Sequence, residues 1–109
     1  QPIEKAIMIA NLGFNPMNNG DVIIISVPPL TEERRRDLVK QAKHEAEEAK
    51  IGVRNHRKDA NTDIKKLEKE GVSEDACKTA EETVQKMTDN FIKKIEEHLV
   101  VKEAEIMKV

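Results

Sequence analysis

The sequence predicts a mainly α protein: a long antiparallel helical hairpin, part of a three-helix bundle, carrying a small α/β appendage. Three observations lead there. Charged residues make up 37% of the 109 residues and aromatics only 2%, a balance suited to long solvated helices rather than a thick globular core. Beyond Pro29 no proline occurs, so nothing of that kind interrupts the helical spacing of apolar residues. The one strong break in that stretch is Gly71 to Ser73, a stop signal followed at once by a start signal.

The appendage comes first. Pro2 suits a first helical turn, Ile3, Ala6, Ile7 and Ala10 recur at helical spacing, and Gly13 stands where a left-handed cap is wanted, which predicts a helix near 3 to 12. Asn15-Pro16 and Asn18-Asn19-Gly20 are turn signals. Asp21 to Val27 is β-branched on both faces and reads as a strand covered on two sides. Its partner is either sequence outside this chain or the Phe14 to Met17 stretch, as one side of a small hairpin. Pro28-Pro29 ends the strand, because proline donates nothing to a ladder. The boundary therefore falls there: residues 1–30 form a remnant of a small domain with its connection, and 31–109 a helical domain.

Thr31 is a candidate cap, with Glu32 and Glu33 complementing the positive end of a helix over about 32–70. Its expected inner stripe is Leu38, Ala42, Ala46, Ala49, Val53, Ala60, Ile64 and Leu67. Ser73 caps the second helix, about 74–107, whose expected stripe is Ala76, Ala80, Val84, Met87, Phe91, Ile95, Leu99 and Ile106. A turn of a few residues forces the two rods antiparallel. The second has further apolar residues, Ile92, Val100 and Val101, that one partner helix does not cover, so a third helix is implied. The chain opens at Gln1 on a helix start and not with Met, so upstream residues are expected, and the chain alone is expected to pair with a second copy to complete its bundle.

The formal net charge of -2 excludes a uniformly basic protein, but the charges are segregated. All five arginines lie between Arg34 and Arg57, while the second helix is net acidic. At about 100° per residue, Lys43, Lys50, Arg54, Arg57, Lys58, Asn61 and Lys65 fall within about 100° of arc, interrupted only by Glu47. A straight cationic row suits phosphates, and arginine adds bidentate contacts. The same row also reads as a solvated face with i to i+4 pairing. Without aromatics for base stacking, an RNA partner would be a structured one, read through backbone and shape.

No enzyme is read. His44, His56 and His98 are isolated, His56 falls near the seam as a packed imidazole, and no Ser or Cys nucleophile has a paired His. Cys77 reads as a small packing residue. Neither a metal site nor a cofactor is expected, nor a membrane span, and the lone cysteine fits a reducing, cytoplasmic setting.

Several runs together resemble one family. Pro28-Pro29-Leu30-Thr31-Glu32-Glu33-Arg34-Arg35-Arg36, Val53-Arg54-Asn55-His56-Arg57-Lys58-Asp59-Ala60-Asn61 and the end Lys102-Glu103-Ala104-Glu105-Ile106-Met107 look like the bacterial-type ribosome recycling factor, as do Pro2-Ile3-Glu4-Lys5-Ala6-Ile7 and Leu12-Gly13-Phe14-Asn15-Pro16. The resemblance implies a three-helix bundle hinged to a β/α/β domain, with the first bundle helix and part of the small domain lacking here. It implies binding to the post-termination ribosome at large-subunit RNA and, with elongation factor G, subunit dissociation and release of mRNA. Arg54 and Arg57 match the arginines expected on RNA, Lys58 stands where many relatives have Arg, His56 departs from a usually aliphatic position, and Pro28, Pro29 and Leu30 match one hinge strand. The alternative is a structural or adaptor protein using the hairpin for protein contacts.

Overall fold

A computed structural model describes residues 1–27 and 29–109. The order is α1 (Pro2–Ile9), β1 (Met17–Asn18), β2 (Ile23–Ile24), α2 (Glu32–Lys69) and α3 (Glu74–Met107), and the chain divides into two compact units at Thr31/Glu32. The helical hairpin with a small α/β appendage is thus the architecture found.

In the first unit α1 starts on Pro2 but is shorter than its apolar spacing suggests. Asn11, not Gly13, is the first residue to turn left-handed, at φ 52°, and its N–H reaches the Met8 carbonyl at 3.2 Å. An asparagine tolerates that conformation, so the helix ends two residues earlier than a glycine rule places it. The strand over 21–27 shrinks to Ile23–Ile24, paired antiparallel with Met17–Asn18, so the local hairpin is the partner found. Its turn is held by side chains: Asn18 Oδ1 accepts from Gly20 N at 2.8 Å, and Asn19 Oδ1 from Val22 N at 2.9 Å. The strand is not covered on two sides, since Ile24, Ile25 and Val27 are all exposed.

In the second unit the helix ends follow the local signals. Gly71 adopts φ +109°, and the N–H groups of Gly71 and Val72 return to the carbonyls of Glu68 and Leu67, the two-bond Schellman closure. Ser73 Oγ then accepts from Ala76 N at 3.2 Å, satisfying one otherwise orphaned donor of α3. At the far end Arg35 donates to the carbonyls of Ile106 and Lys108, at 2.5 and 2.6 Å, and so caps a helix whose last turn carries no basic residue of its own.

The seam between the rods is rotated from the stripes expected of it. Ala46, Ile64, Cys77 and Thr88 are buried, whereas Ala49 and Ala76 are exposed and Met87 and Phe91 are about half exposed. Thr88 manages burial by donating its hydroxyl to the Val84 carbonyl at 2.8 Å. His56, expected in the seam, is exposed. Two helices in contact need only a narrow strip, and here the strip lies to one side of the broad apolar faces. The other side is left as an open groove, two adjoining depressions of about 450 and 390 Å³ that meet at Phe91. Among the described residues no helix is long and apolar enough to cross a membrane.

Candidate nucleic-acid interface

The face of α2 divides into three parallel strips. Buried Ala46 and Ile64 mark the direction toward α3. At about 100° per residue the basic row centres about 70° to one side of that direction, and Ala42, Ala49, His56 and Ala60, on the groove side, about 55° to the other. The row is therefore an edge of the hairpin and lies against a flank of α3. How far each cation stands from that flank decides what it meets.

Arg57, Lys50, Lys43 and Asn61 are on the near side of the row. Lys50 is almost covered, with a side chain 12% exposed, and pairs with Glu96 of α3 at 3.2 Å and Glu47 at 3.4 Å. The hydrogen bond it donates to Glu96 raises its pKa above the ordinary lysine value, outweighing the opposite effect of burial. Lys43 stands 3.8 Å from Glu103, also on α3. Arg57 meets a neutral group instead: its Nη1 donates to Gln85 Oε1 at 3.3 Å, and the Gln85 amide in turn donates to Asp89 Oδ1 at 2.9 Å. Asn61 is half-buried.

Arg54, Lys58 and Lys65 are on the far side and exposed. Their side-chain cations make no hydrogen bond or ion pair with the described residues. With Asn55, Arg57, Asn61 and Thr62 they line a shallow depression of about 450 Å³ on the outer edge of α2. The row expected from the sequence is thus brought together spatially but divided: four residues line one depression with their charge uncancelled, and two lysines face carboxylates. Spacing along α2 reveals only Glu47 beside Lys50; the rest of the division is hidden from it, because Glu96 and Glu103 come from the other helix.

Other candidates resolve simply. Cys77 is buried at 4% exposure with its Sγ 3.7 Å from the Ile64 carbonyl, and burial, with Glu68 and Glu81 adding to it, pushes the thiol pKa up. That suits a packing residue. His44 pairs with Glu48 one turn on, at 3.1 Å, both exposed. No group of three or more metal-ligating side chains occurs among the described residues. Of the residues expected at a hinge, Pro29 and Leu30 are exposed, and Pro28 lies outside the described residues.

Fold and edge together define a class: an elongated helical hairpin with a segregated cationic flank and a small α/β unit. Comparison with known proteins makes the class specific. The family model described as "Ribosome recycling factor" matches residues 1–107. The ribosome-recycling factor of Flavobacterium psychrophilum is 84% identical over 109 residues, covering 100% of this chain and 58% of that protein. That of Nitratidesulfovibrio vulgaris is 56% identical over 108 residues, covering 98% of this chain and 58% of the relative. A solution structure of the ribosome recycling factor superposes with a TM-score of 0.67 at 48% identity, covering 98% of this chain and 56% of that one. The chain belongs to the ribosome recycling factor family. It spans about 58% of the length of the curated relatives it matches.

Proposed function

We propose that this chain serves in ribosome recycling: it binds the post-termination ribosome at large-subunit RNA and, with elongation factor G, promotes subunit dissociation and release of mRNA. Family membership over nearly the whole chain supports the reading, as does the uncancelled cationic edge. The part played is mechanical and not bond chemistry, and the setting is the cytoplasm. An adaptor role for the hairpin is not favoured by the family match.

Arg54, Arg57, Lys58 and Lys65 are the side chains offered to phosphates, with Asn61 beside them and Lys50 and Lys43 as the inner members of the row. α2 holds them on a straight rail, so they meet a rigid RNA backbone without loop reordering. Pro28, Pro29 and Leu30 form the hinge through which the small unit passes force to the rod. Beside the RNA edge, the open groove at Phe91 is covered by a second copy when the chain is alone. About 30 residues of hairpin give a strip roughly 45 Å long and roughly 15 Å wide, near the ~800 Å² per partner of a stable dimer.

The test is co-sedimentation with purified large ribosomal subunits at two salt concentrations. Four phosphate contacts predict a slope of log affinity on log salt of about -3, so tripling the salt weakens binding roughly 30-fold. Affinity independent of salt would refute an RNA contact and return the hairpin to the adaptor reading.

A further inference from the structure

We propose that the flank of α3 beside the basic row sorts its cations: Gln85 orients Arg57 without cancelling its charge, while Glu96 and Glu103 hold Lys50 and Lys43 back from RNA. This rests on the RNA reading above and names the residues that set its strength.

The pairs Lys43–Glu103 and Lys50–Glu96 share one antiparallel register, whose next place on α3, opposite Arg57, is Asp89; Arg57 instead meets Gln85, one helical turn earlier on α3. Lys50 pairs with a carboxylate at 3.2 Å and is held closely, whereas Lys43, 61% exposed, stands 3.8 Å from another without a hydrogen bond and is held only loosely. The group that Arg57 does meet is an amide, at 3.3 Å, and that amide in turn occupies Asp89. A carboxylate neutralises the cation it holds, and a lysine so held, 12% exposed and bridging two glutamates, has little charge or reach left to displace counterions from RNA.

An amide oxygen restrains a guanidinium while leaving its full charge and most of its five N–H donors for a phosphate. Gln85 is itself held, since its amide donates to Asp89 Oδ1 at 2.9 Å, which fixes the carbonyl end toward Arg57. Asp89 is thereby used at one remove: its charge orients the glutamine and does not pair with the arginine directly. Glu96 and Glu103 are positioning residues of the opposite sense. They limit the number of cations that grip RNA, which suits a factor that must leave its site as well as occupy it. The outer cations Arg54, Lys58 and Lys65 have no α3 carboxylate at their side and are not subject to this control.

The experiment measures salt dependence of binding to purified large ribosomal subunits for the unsubstituted chain, Gln85→Glu, Gln85→Ala and Glu96→Gln/Glu103→Gln, with helix content checked by circular dichroism. Gln85→Glu should lower the steepness of the salt slope by about 0.8 and weaken binding about 10-fold at low salt, because one cation becomes paired. Gln85→Ala should keep the slope and lose only a few-fold in affinity. Glu96→Gln/Glu103→Gln should steepen the slope by about one to two and bind several-fold tighter at low salt. If the unsubstituted chain binds with a steep slope and all variants share it, the sorting is overturned and the RNA reading stands. If the unsubstituted chain shows no salt-dependent binding, the RNA reading fails first and the sorting falls with it.

Discussion

Replacing Arg57 by alanine separates binding from folding at a single side chain. On the folding side the loss is small. Arg57 gives the hairpin one long hydrogen bond, 3.3 Å to Gln85, on a solvated flank, and such a contact contributes about 0.5 kcal/mol or less. Alanine, the best helix former, returns about 0.2 kcal/mol of that. Helix content should be unchanged, and the melting temperature should move by no more than about 2 °C. On the binding side a charge-assisted, forked contact to phosphate is lost, about 1.5–3 kcal/mol, which is roughly 10- to 150-fold in affinity for large ribosomal subunits. The slope of log affinity on log salt should shrink by about 0.8, and Arg57→Lys should restore the slope while recovering only part of the affinity, since lysine keeps the charge and lacks the fork. Co-sedimentation across a salt series beside circular dichroism reads both sides. An Arg57→Ala chain that keeps its helix content, its affinity and its salt slope would refute the reasoning.

The two glycines of the hairpin should respond oppositely to alanine. Gly52 lies inside α2 with open space around an added Cβ, so Gly52→Ala should stabilise by about 0.5–1 kcal/mol, whereas Gly71→Ala must hold φ +109° and should destabilise by at least about 1 kcal/mol; thermal melts decide both. Cys77 should resist thiol reagents at pH 8 until the chain unfolds. Because its folded pKa is raised above the ordinary 9.0, its contribution to stability is full below that value and is lost as pH rises through the folded pKa, which denaturant titrations between pH 7 and 10 would register. Sedimentation equilibrium of the chain alone should give a mass that doubles with concentration, abolished by Phe91→Glu; a monomer throughout would refute self-pairing through the groove.

Legibility in the sequence followed the range of the interaction. Gly71, Ser73 and the Asn18-Asn19-Gly20 turn act on neighbours a few residues away, and each was readable from spacing alone. The early end of α1 was missed because Asn11 takes a backbone conformation usually credited to glycine. The seam was legible as an apolar face but not as a direction within it. Cys77 and Thr88 are buried while Met87 and Phe91 remain open, since a face about 100° wide offers a single partner more surface than it covers. The basic row shows the same limit. Its alignment on one edge follows from helical periodicity, yet the different fates of Lys50 and Arg57 depend on whether residue 96 or residue 85 reaches them. That is a property of two helices in register, which no single stretch of sequence states.

The cross-helix pairs nest around one joint: Ile64 with Cys77 innermost, then Arg57 with Gln85, Lys50 with Glu96, Lys43 with Glu103, and Arg35 with Ile106 at the far end. The few residues between Lys69 and Glu74 therefore work as a ruler, calibrating every charge along some 50 Å of rod from its zero mark. Adding or removing one residue there would slide α3 by about 1.5 Å and spin it by about 100°, trading all these partners at once while the helices themselves survived. A lesion at the quietest spot on the molecule, far from the cationic edge itself, would then rewrite which cations face outward.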